Sequence, residues 1–214
     1  MNEKKRTVLY IDDELASREV FSDVLEDLYN DRFTIQCIEP EQELQDMIEV
    51  IGKVPNLTSI IIDERLSISA RTNYKGSELS EELRNIYEII PIYILTSHPS
   101  SLEPICGSVE YVLDKGQLET EDYKSHVKNL LSRHVANTDI LVTEKRKKYD
   151  QLLAKSMSHP LTEDELKELE SLELFRVKPL FNTESFIGER DLELLNENAH
   201  LLDELQGLLG LDKK

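Results

Sequence analysis

The chain has 214 residues, 43 of them Asp or Glu against 25 Lys or Arg, for a formal net charge of −18. This length can bury a real core without staples and leaves room for a second small module. Acidic residues outnumber basic ones on both sides of Arg133, which argues against a DNA-binding output, because such binding depends on Lys and Arg neutralising phosphates.

Thr7 to Ile11 is a short apolar run ending in Asp12-Asp13-Glu14, after which Val20, Phe21, Val24, Leu25 and Leu28 recur at helical spacing. Phe33 to Ile38 alternates like a strand, and Leu44, Met47, Ile48 and Ile51 mark a second helix. Leu57 to Ile62 reads as a third strand ending at Asp63, followed by a polar segment and a helix carrying Leu79, Leu83, Ile86 and Tyr87. Ile90 to Leu95 gives a fourth strand ending at Thr96-Ser97, Val109 to Leu113 a fifth ending near Lys115, and Leu118 to Leu131 a fifth helix. Short apolar strands alternating with amphipathic helices predict an α/β fold, a doubly wound five-stranded parallel sheet with both faces covered.

The remaining residues carry helical stripes without strand partners, so the spacing predicts an all-α tail over 136–214 behind a domain over 1–135. Tyr149, Leu152, Leu153 and Met157 form one stripe and Leu166, Leu169 and Leu172 another, with Thr162 and Glu165 placed as a capping box. Leu194, Leu195, Leu201, Leu202, Leu205, Leu208 and Leu209 make a wide apolar face that suits association, either of two copies or of the tail with a protein partner; packing within one chain is the competing use. Lys145-Arg146-Lys147-Lys148, the one basic cluster, reads as a solvated helix face. Cys37 and Cys106 lack metal-like spacing and read as reduced packing residues, and no apolar stretch is long enough for a signal peptide or membrane span, so a cytoplasmic protein is expected.

In a doubly wound sheet the ligand crevice lies outside the carboxyl ends of the strands. Asp12 and Asp13 follow strand one, Asp63 strand three, Thr96 strand four and Lys115 strand five, so all five are expected to converge there. Three carboxylates in one crevice repel one another, and a hard divalent cation with oxygen ligands relieves that; Mg²⁺ is the expected ion. A positioned carboxylate can itself be the nucleophile and form an acyl phosphate, with Lys115 neutralising a phosphoryl oxygen and the Thr96 hydroxyl donating to another. Taken singly, each Asp reads equally as a cap of the following turn, Thr96 as a turn residue and Lys115 as surface charge. Their joint placement, one after each appropriate strand, is what argues for a site.

The segments Val8 to Glu14, Ile60 to Asp63, Ile94 to Ser97 and Asp114-Lys115-Gly116 resemble the motif set of response-regulator receiver domains. The resemblance implies that Asp63 accepts a phosphoryl group from the phosphohistidine of a histidine kinase or phosphotransfer protein. It implies further that Asp12, Asp13, Asp63 and the Arg65 carbonyl organise Mg²⁺, that Thr96 turns toward the phosphoryl group, and that Lys115 contacts it. The family's members signal and do not turn over a substrate as enzymes. Its pattern also places the side chains two beyond Asp63 and Thr96 at the approach of hydrolytic water; here these are Arg65 and His98, large enough to shield the phosphoryl group and lengthen its life.

Departures from that pattern are plain. The stretch between Asp63 and Gly76 is long, Ser67 stands where proline is common, and Gly116 follows Lys115 where proline is usual. The aromatic expected three residues before the lysine is Val112, with Tyr111 on the opposite strand face. The link from Ser97 to Ser108 allows only a short fourth helix. Three further readings compete: a haloacid-dehalogenase-like phosphatase, which needs Asp where Glu14 stands; an adaptor that keeps the fold without phosphorylation; and a phosphotransfer tail around His200, disfavoured by Asp203 and Glu204.

Overall fold

The computed structural model describes residues 5–66, 72–102 and 107–184, with side chains along the last helix described as far as Val177. Five strands, β1 (Arg6–Ile11), β2 (Phe33–Ile38), β3 (Leu57–Asp63), β4 (Ile92–Thr96) and β5 (Tyr111–Asp114), form one parallel sheet in the order β2-β1-β3-β4-β5. Helices α1 (Leu15–Tyr29), α2 (Leu44–Gly52), α3 (Gly76–Ile86), α4 (Glu121–Ser158) and α5 (Glu163–Glu184) complete it. This is the doubly wound, flavodoxin-like arrangement expected from the sequence.

Strand alternation divides the core in two. Val8, Tyr10, Ile61, Tyr93, Leu95 and Leu113 meet Leu25, Leu28 and Tyr29 of α1 and Val127, Leu130, Leu131 and Val135 of α4. Leu9, Ile11, Ile60, Ile62, Ile92 and Ile94 meet Met47, Ile48 and Ile51 of α2 and Leu79 and Leu83 of α3. Both faces are buried, which is why the strands read as continuous apolar runs. Tyr111 packs with the first set and Val112 with the second, so the two do lie on opposite faces.

Two elements differ from the sequence reading. Between β4 and β5, where a short helix was expected, the described residues hold a three-residue 3-10 turn, Pro99–Ser101, with Pro99 in the first turn, where a missing N–H costs nothing. The second difference is larger. The helix expected from Leu118 to Leu131 and the Tyr149 to Met157 stripe belong to one helix, α4, of 38 residues and about 57 Å at 1.5 Å per residue. No Gly or Pro interrupts it between Glu121 and Ser158, and it ends where Pro160 forces His159 into extended backbone.

α4 is held where it leaves the sheet. Arg6 donates twice to Asp139, 2.8 Å to each carboxylate oxygen, and the Thr138 hydroxyl donates to the Ile89 carbonyl. Beyond that point α5 doubles back along it. The expected capping box is present: the Thr162 N–H donates to Glu165 Oε2 and the Glu165 N–H to Thr162 Oγ1. Leu152 and Leu172 are buried, Lys155 pairs with Glu165 and Lys148 with Glu168, and Arg176 lies over the Tyr149 ring. The returning helix also comes alongside α2 and α3. No helix among the described residues is long and apolar enough to cross a membrane. The leucine-rich face from Leu194 to Leu209, His200, Cys106 and Ser67 lie outside the described residues.

Candidate functional site at the carboxyl ends of the strands

Period-two alternation places Tyr10 and Asp12, Ile61 and Asp63, and Leu113 and Lys115 on one side of the sheet, where three strand ends meet. Asp12, Asp13, Glu14, Asp63, Arg65, Thr96, Ser97, His98 and Lys115 line a cavity of about 150 Å³ there. Every site residue named from the sequence is therefore at this crevice, and direct contacts tie three of them together.

The Lys115 ammonium lies 2.8 Å from Asp12 Oδ2 and 2.7 Å from Asp63 Oδ1. It also stands over the Phe21 ring, 5.1 Å from its centroid. Asp12 is 1% exposed and is held by three donors: Lys115, the Glu14 N–H to Oδ1 at 2.9 Å, and the Tyr10 hydroxyl to Oδ2 at 2.5 Å. Asp63 Oδ2 accepts the Arg65 N–H at 2.6 Å, a side-chain-closed turn that fixes the carboxylate at the end of β3. Thr96 sits on the opposite face parity, buried, with its Oγ1 accepting the His98 N–H at 3.2 Å. β5 is latched to β4 beside it, since the Lys115 N–H donates to the Thr96 carbonyl.

The electrostatics follow from burial competing with pairing. Desolvation pushes the Asp63 carboxyl above its usual range even though Lys115 pulls the other way. Desolvation alone would lower the Lys115 ammonium, but its bonds to Asp12 and Asp63 outweigh that and hold it above the ordinary lysine value. Burial, then the Asp12 charge, drives Tyr10 ionisation far up, so its hydroxyl keeps its proton and acts as a donor.

The fit of Mg²⁺ can be judged from these groups. As they stand, Asp12 and Asp63 are both engaged by the Lys115 ammonium, and among the described residues no three His, Cys, Asp or Glu side chains form a ready-made metal cluster. The donors offered to the cavity are hard oxygens, and Mg²⁺ binds through one or two carboxylates while keeping several waters. The donor set therefore fits the ion in kind.

Sequence reasoning missed four contributors. Tyr10 reads as one more core residue of β1, and Phe21 as one more residue of the α1 stripe. Arg18 of α1 donates to the Asp12 carbonyl, steadying the acidic turn from behind. Glu64, beside the phosphoacceptor candidate, accepts from both the N–H and the hydroxyl of Ser77 and so clamps α3 to the end of β3. The only sequence signal was a tyrosine two residues before Asp12 in a run of aliphatics.

That clamp brings Gly76 hard against Asp63. A Cβ at Gly76 would lie 2.2 Å from the Asp63 carbonyl oxygen, a backbone atom that cannot swing away. Gly76→Ala is expected to destabilise the fold by about 1–3 kcal/mol in urea denaturation, the usual range for overpacking. A variant as stable as wild type would refute the close approach.

No family model matches the chain, and no curated protein matches it. The strand order and the two-sided cover of helices decide the architecture. The fold is flavodoxin-like. Solved structures similar to it include the CheY-like response regulator receiver domain from Methylobacillus flagellatus, at 17% identity and a TM-score of 0.43, over 58% of this chain and 99% of that one. Another is the response regulator TrrA from Thermotoga maritima in complex with Mg²⁺-BeF, at 20% identity and 0.44, over 58% and 98%. A third is the complex of the histidine kinase ThkA with TrrA, at 20% identity and 0.45, over 59% and 98%. The likeness is one of fold, and the helical tail falls outside it.

Proposed function

We propose that this protein is a response regulator in which Asp63 accepts a phosphoryl group from the phosphohistidine of a histidine kinase or phosphotransfer protein. The observation that carries this reading is the Asp12–Lys115–Asp63 arrangement in a small polar cavity at the ends of three strands. An Asp63 oxygen attacks phosphorus, the N–P bond of the donor breaks, and the imidazole leaves with the electron pair. Asp12, Asp13, Asp63 and the Arg65 carbonyl would hold Mg²⁺, which would supply charge neutralisation for the transferring group. Lys115 exchanges its bonds to Asp12 and Asp63 for one to a phosphoryl oxygen, and the Thr96 hydroxyl, now an acceptor, has its own proton to donate to another.

The output in this reading passes through protein contacts of the helical tail over 136–214, in a cytoplasmic protein that acts without binding DNA, as a homodimer or with a separate partner. α4 supports it: the same helix packs on the sheet at Val127 to Val135 and carries α5 beyond.

Incubating the full chain with phosphoramidate and Mg²⁺, followed by intact mass, tests the proposal. One phosphoryl addition that chelation prevents is expected; no addition with Mg²⁺ present, or addition indifferent to chelation, would sink it. The same assay measures lifetime. Arg65 and His98 both line the cavity, so the Arg65→Ala, His98→Ala double variant should lose its phosphoryl group several-fold faster than wild type. Equal or slower decay in the variant would dismiss the shielding role.

A further inference from the structure

We infer that Tyr10 is a positioning residue of the phosphorylation site, its hydroxyl holding the Asp12 carboxylate in the orientation that receives a divalent cation. This rests on the reading of the site given above and adds a residue to it. Tyr10 is fully buried, and among its neighbours along β1 Leu9 and Ile11 do the packing with aliphatic side chains alone. A hydroxyl in such a place is costly unless it is bonded, so a tyrosine there calls for a partner that an aliphatic residue would not need. The partner is Asp12 Oδ2, at 2.5 Å, the short separation of a charge-assisted O–H···O⁻ bond.

The ring that carries this hydroxyl is itself fixed. Phe21 packs edge-on to Tyr10, with ring centroids 6.5 Å apart and planes at 76°, and the same Phe21 ring lies under the Lys115 ammonium. One aromatic residue thus braces both groups that share Asp12 Oδ2. The two differ in what they do next. Lys115 is the cation that leaves Asp12 and Asp63 when it turns to a phosphoryl oxygen. Tyr10 cannot follow, being locked in the core, and it keeps Asp12 hydrogen-bonded and oriented when the ammonium has gone. Donors of this kind behind a ligating carboxylate commonly contribute 10-fold to 100-fold in metal affinity.

Calorimetric titration of the full chain with MgCl₂ tests this, with circular dichroism as a check on folding. Tyr10→Phe removes one oxygen atom and is expected to weaken Mg²⁺ binding by about 10-fold. Tyr29→Phe is the control: its hydroxyl is also buried but bonds Ser59, towards the opposite end of β3 from Asp63, and its loss should leave the affinity unchanged. On an Asp12→Asn background the Tyr10→Phe change should have no further effect. Affinity that is unchanged or tighter in Tyr10→Phe, or a drop of the same size on the Asp12→Asn background, would overturn the assignment. A wild-type protein that binds no Mg²⁺ would instead remove the cation from the proposed function, and Tyr10's role with it.

Discussion

Asp63→Asn takes up no phosphoryl group under conditions that load the wild type, yet it folds with undiminished stability; this pairing of outcomes is the expected result with the largest effect. The loss follows from chemistry, since an amide oxygen is not a competent nucleophile toward phosphorus, and Asp12, the other carboxylate bonded to Lys115, is already held by three donors. Retained stability follows from burial. Desolvation outweighs the Lys115 pairing and raises the Asp63 carboxyl above its usual range, so the ionised group is a net burden on the fold. Asn keeps an acceptor for the Arg65 N–H. The pH dependence has a definite sign. With the folded value above the unfolded one, the folded state holds its proton to higher pH, and wild-type stability falls as pH rises from the ordinary aspartate range through the raised value. Asp63→Asn lacks that limb. Urea denaturation of both proteins between mildly acid and neutral pH checks it: a parallel pair of profiles would contradict the burial argument, and phosphorylation of Asp63→Asn at full yield would contradict the site.

Lys115→Ala has the second large effect, on stability. Its side chain is 12% exposed and those of its partners Asp12 and Asp63 are 1% and 10% exposed, so removing the ammonium leaves two carboxylates together with little water to screen them. Breaking a buried pair by deleting one partner costs about 3–5 kcal/mol. Proton uptake by Asp63, already biased toward its neutral form, puts the expected loss at the low end, about 3 kcal/mol. Recovery is the sharper half of the prediction. Millimolar Mg²⁺ should restore much of the stability by supplying the missing positive charge, and Asp63→Asn in the same chain should restore it by removing one of the two charges. Four proteins in a double-mutant cycle, each with and without Mg²⁺, measure the coupling. A cost under about 1 kcal/mol, or simple additivity of the two substitutions, would mean that water already screens the carboxylates. In the wild type the Lys115 contribution is fully present below the ordinary lysine value and is lost as pH rises through its higher folded value, so it does not confuse the acid limb used for Asp63.

Much of this was legible in the residues alone. Five short apolar runs separated by helical stripes specify a parallel sheet covered on both faces, because strands buried on both sides must be apolar throughout, and the strand boundaries fall within two residues of the observed ones. Asp12, Asp13, Asp63, Thr96 and Lys115 were legible as a crevice set for the same reason: in such a sheet every strand ends on the same edge, so sequence position after a strand is already position in space. The capping box at Thr162 and Glu165 is a local device and was read locally. What needed the tertiary structure was whatever depends on which groups meet across the sheet. The Lys115 bridge to both Asp12 and Asp63 depends on β1, β3 and β5 bringing three distant segments to within 3 Å. Gly76 is required by the approach of α3 to the Asp63 carbonyl, and the tail's return to α2 and α3 depends on α4 running unbroken through Ser158, where helical periodicity alone cannot tell one long helix from two. Tyr10 is the clearest case. Its side chain fits the core pattern of β1 without remark, and only the distance from its hydroxyl to Asp12 turns a packing residue into part of the site, because a hydrogen bond is a matter of ångströms and direction that no spacing along the chain encodes.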